Sequence, residues 1–147
     1  MKIFAIMLVK NEADIVANVI KDAEKWADRI FIMDNGSTDG TWEIVQSLKN
    51  DIVVPWKQDF RPYSNGLRAD VFNEFRHEAS DGDWWCFKLD ADEFYYDNPK
   101  EFLAKMNIQY QAIKRTLRPK KNRIPLNLIS FIKADIPITV IRNKEGK

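Results

Sequence analysis

Four apolar runs of strand length, each followed by a segment with helical spacing, constrain this chain more than any other feature. Ile3 to Val9 is nearly continuous apolar sequence, and the next apolar residues, Ile15, Val16, Val19, Ile20, Ala23 and Trp26, fall on one face of an amphipathic helix. Ile30 to Met33 is a second strand, Asp34 to Gly40 a turn, and Thr41 is expected to cap a helix carrying Ile44, Val45 and Leu48. Ile52 to Trp56 reads as a third strand, and Leu67, Val71, Phe72, Phe75 and Ala79 mark another helix. Trp84 to Leu89 reads as a fourth strand, and Asp97-Asn98-Pro99 opens a further helix with proline at its first position. Strands that are apolar throughout are buried on both faces, so the pattern predicts an α/β fold with a mainly parallel sheet and helices on either side.

With 147 residues, 45% of them hydrophobic, the chain can build one domain with a real core. Its coherent part runs over residues 1–105. Residues 106–147 read as a shorter, basic segment of the same domain, with only weak strand or helix signals in Tyr110 to Ile113, Leu126 to Ile132 and Ile136 to Ile141. The single cysteine, Cys86, lies within a strand, so no internal disulfide can form and a cytoplasmic setting is expected. The apolar N-terminus is too short for a membrane span and lacks a cleavage site, which makes it a strand. Charge is divided: residues 1–97 carry 11 Lys and Arg against 19 Asp and Glu, whereas residues 98–147 carry 12 against 3. Lys114, Arg115, Arg118, Lys120, Lys121 and Arg123 form a basic cluster suited to phosphates, an anionic membrane surface or the acidic half of the molecule, with a solvated basic face equally open. Nucleic acid is not an expected partner.

In open α/β sheets ligands sit beyond the carboxyl ends of the strands, and three of these ends are polar: Lys10-Asn11-Glu12, Asp34 to Gly40, and Asp90-Ala91-Asp92-Glu93. Asp90 and Asp92 are one residue apart, so in extended chain their carboxylates point the same way and repel unless a hard cation such as Mg²⁺ or Mn²⁺ lies between them. Asp34 enters a Gly-rich turn where its carboxylate can accept a ligand N–H, and the helix opened by Thr41 favours an anion. Asn-Gly and Asp-Gly are also ordinary turn formers, so this segment gains weight from its company.

Together the strand ending in Asn11-Glu12, the turn Asp34-Asn35-Gly36-Ser37-Thr38-Asp39-Gly40-Thr41 and the Asp90-Ala91-Asp92 motif resemble the family 2 glycosyltransferases of the GT-A fold. The resemblance covers residues 1 to about 105 and is especially close to bacterial members, with a Leu-Asp-Ala-Asp-Glu motif, that build lipopolysaccharide core or other surface glycans. It implies metal-dependent transfer of a sugar, with inversion, from a UDP- or GDP-linked donor to a glycan or lipid-linked acceptor. The implied donor-binding residues are Val9, Asn11, Glu12, Asp34, Asn35, Ser37, Arg68 and Asp90, with Asp34 on the base. Asp92 and Asp90 would hold Mn²⁺ or Mg²⁺, Asp92 the more direct ligand. Asp70 stands near where the family's wording has asparagine. Inversion needs a base for the acceptor hydroxyl; beyond Asp97 the only acids are Glu101, Asp135 and Glu145, none in the family's Glu-Asp pair, which leaves Asp135 or, beside the metal motif, Glu93 as the candidates. The alternative is a shortened or non-catalytic module that binds nucleotide sugars. The basic cluster extends the expectation to peripheral association with the inner face of an anionic membrane.

Other signals are weaker. His77, the only histidine, sits beside Arg76 and Glu78 and reads as a surface helix residue. Cys86 reads as a small buried hydrophobe. Tyr95 or Tyr96 is the better candidate to stack on a sugar ring. A haloacid dehalogenase-type phosphatase would carry its Asp-x-Asp at the first strand, and a nucleotidyltransferase would carry a Gly-rich basic signature there; neither is present.

Overall fold

The sheet is built around β1 (Ile3–Val9), whose seven residues are all buried. The computed structural model describes residues 1–95, 97–106 and 131–133. β1 is followed by α1 (Val16–Ala23), β2 (Arg29–Asp34), α2 (Thr41–Ser47), β3 (Val53–Gln58), α3 (Asn65–Phe75), a short 3₁₀ turn (Arg76–Glu78), β4 (Trp84–Asp90) and β5 (Phe131–Lys133). Residues 99–106 are helical, and Asn98 opens them by accepting the Lys100 N–H at 2.9 Å with its side chain.

The strand order is β3-β2-β1-β4-β5. β1 pairs in parallel with both β2 and β4, β2 pairs in parallel with β3, and β5 runs antiparallel along β4. The expected mainly parallel α/β sheet is therefore present, with one antiparallel edge strand drawn from the end of the Leu126 to Ile132 run. The basic cluster from Lys114 to Arg123, Asp135 and Tyr96 lie outside the described residues.

Alternation along the strands divides the core in two. Ile3, Ala5, Met7 and Val9 face α1, α2 and the 99–106 helix, meeting Val16, Val19, Ile20, Val45 and Leu103. Phe4, Ile6 and Leu8 face α3, meeting Leu67, Val71 and Phe72. On that face Phe4 stacks on Trp85 at 5.1 Å, and Phe31 stacks on Phe75 at 4.1 Å. Full burial of such side chains supplies about 1.5–3 kcal/mol each, which is what holds helices of only 8 and 11 residues, α1 and α3, in place.

Two expectations change. Thr41 is the first residue of α2 and not its cap: Gly40 occupies the cap position with φ +90° and offers no side chain. The extended-chain argument for Asp90 and Asp92 also fails beyond Asp90, because β4 ends there and Ala91-Asp92 form a turn.

Candidate functional site

The chain begins at the centre of the sheet, moves outward through β2 and β3, then returns to β4 on the other side of β1. The strand order therefore reverses between β1 and β4, the place where open α/β sheets hold a ligand at the carboxyl ends of their strands. The crevice there, about 370 Å³, is walled by Leu8, Val9, Lys10 and Glu12 from the end of β1, and by Asp90, Ala91 and Asp92 from the end of β4. Asn35, Tyr63 and Arg68 complete it.

A bulge decides what β4 presents to this space. Ala5 pairs with Cys86 but Met7 pairs with Leu89, so β4 carries one extra residue opposite Ile6. In an unbroken register Lys88 would oppose Met7 and enter the α1-side core; the bulge leaves its side chain 61% exposed. It also pairs Asp90 with Leu8 and so turns the carboxylate toward the α3 side of the sheet. Arg68 of α3, itself buried, meets it there: Nη2 donates to Asp90 Oδ1 at 3.1 Å.

The loop after β1 and the turn after β2 are tied together by four bonds, two of them using side chains of the predicted set. Asn11, at φ +54°, adopts the left-handed conformation that asparagine tolerates. Its N–H donates to Ser37 Oγ at 2.9 Å, and its Oδ1 accepts the Thr38 N–H at 2.8 Å. The Glu12 N–H donates to Thr41 Oγ1 at 2.9 Å and the Ala13 N–H to Asp39 Oδ2 at 3.2 Å. Asp39 also accepts the Thr41 N–H and hydroxyl, so the start of α2 is already served by the protein's own carboxylate. These bonds, Thr41 foremost, hold the Asp39 carboxyl below its usual range.

Asp34 lies beneath the turn with no exposed surface. Its Oδ1 accepts the Gly36 and Ser37 N–H groups at 2.8 and 2.7 Å, while Oδ2 is buried with no hydrogen-bond partner among the described residues. Asn35 fastens the next loop: its Nδ2 donates to the carbonyls of Asp59 and Arg61 at 2.8 and 2.7 Å, on either side of Phe60. Arg61 pairs with Asp59 and Asp70, each at 2.7 Å. Asp70 is thus spent on the loop. Beneath it Gly36, at φ +86°, leaves room for the Phe60 ring, and Phe60 stays 74% exposed.

Glu12 and Asp92 give the crevice its negative side. The Glu12 carboxyl is raised above its ordinary value, first by burial and then by the neighbouring Asp92 charge. No group of three His, Cys, Asp or Glu side chains able to cage a metal occurs among the described residues. That donor set fits a magnesium-like cation, which takes one or two carboxylates from protein and the rest from phosphates and water. Asp92 would hold it directly, and Asp90, paired with Arg68, would reach it through a metal-bound water.

The sequence matches the profile of Glycosyl transferase family 2 over residues 4–113, more than half of its length. The chain belongs to glycosyl transferase family 2. Among solved structures, S. aureus TarS 1-349 is similar with TM-score 0.52 and 20% identity over 78% of this chain and 33% of that one. A second S. aureus TarS structure gives TM-score 0.55 and 19% identity over 76% of this chain and 20% of that one. At such identity the likeness concerns the fold, which is that of a GT-A glycosyltransferase, and the chain spans a third or less of those proteins. Among curated proteins none matches the chain.

In this family 2 domain the crevice gathers Val9, Glu12, Asn35, Arg68, Asp90 and Asp92 from the predicted set. Asn11, Ser37 and Asp34 stand behind it as scaffold or buried turn, and Glu93 is exposed on the turn after Asp92, outside the crevice lining. Tyr95 is not a sugar platform in this structure: its ring meets Trp26 edge-on at 5.5 Å and its hydroxyl lies 3.6 Å from Cys86 Sγ. Lys10 and Tyr63 were missed as lining residues. Lys10 follows β1 directly, a usable sequence signal; nothing in the pattern around Tyr63 marked it.

Proposed function

We propose that this domain binds a nucleotide-diphosphate sugar, UDP- or GDP-linked, in the crevice between β1 and β4 and transfers the sugar with inversion to a glycan or lipid-linked acceptor. The observation that carries the reading is the crevice itself. It lies at the topological switch point and combines exposed Asp92 with Glu12, Asp90 and Lys10, a charge arrangement suited to a diphosphate held through a divalent cation.

In this reading Asp34, buried behind the crevice, receives the base once the turn over it shifts, and a ligand N–H then satisfies its otherwise unpartnered Oδ2. Val9 and Asn35 flank the base and ribose, and Asp90 takes a ribose hydroxyl or a metal-bound water. Lys10 offers an ammonium to the diphosphate. When bound, Mn²⁺ or Mg²⁺ would neutralise the charge that develops on the leaving diphosphate. The acceptor's proton goes to a carboxylate, for which Glu93 and Asp135 are the two proposed bases. A surface-glycan acceptor of the lipopolysaccharide-core type, suggested by the Leu-Asp-Ala-Asp-Glu motif, and association with the inner face of an anionic membrane, suggested by the basic cluster, are part of this proposal. No helix among the described residues is long and apolar enough to cross a membrane.

Titration of the chain with UDP, GDP and their sugar derivatives, with and without Mn²⁺, tests it. Metal should tighten binding of one nucleotide at least tenfold, and Asp92→Ala should abolish that gain. Equal binding with and without metal in both proteins would refute the site.

A further inference from the structure

We propose that Arg68 is a positioning residue that acts on the ligand only through Asp90, and that the β4 bulge is what makes this necessary; the ligand half of the idea rests on the nucleotide reading above. Arg68 is 8% exposed although it lines the crevice. Its contacts all point into the protein. Nη1 donates to the Phe87 carbonyl at 3.1 Å and reaches the Ile6 carbonyl at 3.4 Å, and Nη2 donates to Asp90 Oδ1 at 3.1 Å.

Those carbonyls belong to the two residues that face each other where the ladder is interrupted. A bulge leaves backbone groups of the longer strand without their regular partners, and in a buried central pair each such group costs about 1–3 kcal/mol unless something serves it. The planar guanidinium fork can serve carbonyls and a carboxylate together, which a lysine ammonium on its flexible stem does less well. Arg68 thus stabilises the register shift and fixes the carboxylate that the shift turns toward α3.

A division of labour follows. Asp90 has Oδ1 on Arg68 and Oδ2 3.9 Å from Lys88 Nζ, so cations already neutralise it. It is held as an oriented hydrogen-bond acceptor. Asp92, exposed on the turn and facing Glu12, has no ion pair among the described residues and keeps its charge for the ligand.

A double-mutant cycle on the full chain tests this with Arg68→Gln, Asp90→Asn and the double variant. The first readout, urea unfolding, needs no ligand. Asp90→Asn leaves a buried guanidinium without its counter-ion, so the double variant should unfold at a higher urea midpoint than the two single losses added together. Additive midpoints would overturn the proposal. The second readout is Kd for UDP and GDP with Mn²⁺. Each single variant should weaken binding about tenfold, and the double variant should be no weaker than Asp90→Asn, because Arg68 has no contact of its own with the nucleotide. A loss near a hundredfold in the double variant would mean that Arg68 touches the ligand directly and would overturn the proposal. If the wild-type chain binds no nucleotide, the functional reading fails while the unfolding cycle still decides the Arg68 assignment. Should Arg68→Gln not fold, Arg68→Lys takes its place, with the same coupling expected at smaller amplitude.

Discussion

Asn35→Ala should loosen the loop that borders the crevice, by an amount that can be worked out bond by bond. The side chain is 4% exposed and uses both amide hydrogens, on the Asp59 and Arg61 carbonyls. Two neutral hydrogen bonds contribute about 1–3 kcal/mol net. The upper end applies only if both carbonyls stay dry, and Phe60 and Arg61 are exposed, so water reaches the freed oxygens and the loss should settle at about 1–2 kcal/mol. Asparagine-to-aspartate is the discriminating control. The carboxylate of Asn35→Asp is nearly isosteric but cannot donate, and it faces two carbonyl oxygens, so it should cost more than alanine. Equilibrium urea denaturation with an unchanged slope measures both variants. Hydrogen exchange at the Asp59 N–H, which donates to the Asp34 carbonyl at 2.7 Å, reports the loop itself and should accelerate. An alanine variant within 0.5 kcal/mol of wild type, or an aspartate variant as stable as wild type, would show that Asn35 does not hold the loop.

Three further outcomes follow from the same packing. Gly36→Ala should cost about 1–2 kcal/mol from the left-handed backbone alone. Its added Cβ would lie 3.0 Å from the exposed Phe60 ring, which can swing away, so Phe60→Ala should not rescue it; full rescue in the double variant would make the contact, not the backbone, the cause. The Asp59 carboxyl is held down to about 2 by its bonds to Arg61. A depressed carboxylate adds stability above its unfolded pKa of about 4, and that contribution is lost as pH falls through the folded value; with Arg61 exposed it is about 1 kcal/mol. Asp59→Asn should therefore flatten the stability-pH curve across that acid window, and a curve of unchanged slope would refute the pairing. Burial pushes the Cys86 thiol up to about 11, so it should resist a disulfide reagent at mildly alkaline pH until denaturant is added, and rapid labelling of the native chain would contradict its burial.

Much of the architecture was legible because it rests on short-range pattern. Continuous apolar runs required buried strands, helical spacing placed α1 and α3 between them, and Asn98-Pro99 started the last described helix where expected. The polar strand ends pointed to the carboxyl side of the sheet, since that placement needs only a parallel α/β pattern; which two strands flank the crevice followed from the strand order. The reading went wrong where a side chain's partner lies far along the chain. Thr41 looks like a cap in local sequence, yet its hydroxyl serves the Glu12 N–H, and Tyr95 looks available beside the acidic motif until Trp26 meets its ring.

The sequence by itself therefore determined the α/β class, the two-sided burial of the strands and the acidic end of β4, because periodicity and apolar content act within a few residues. Only the tertiary structure decided how those acids differ. The bulge at Phe87-Lys88 is set by what lies opposite in β1 and by Arg68 arriving from α3, and that one-residue shift leaves Asp90 paired with an arginine and Asp92 turned to the crevice. A register shift changes the face of every later residue without changing any letter of the sequence, so the Asp-Ala-Asp spacing could mark the site but could not assign its parts.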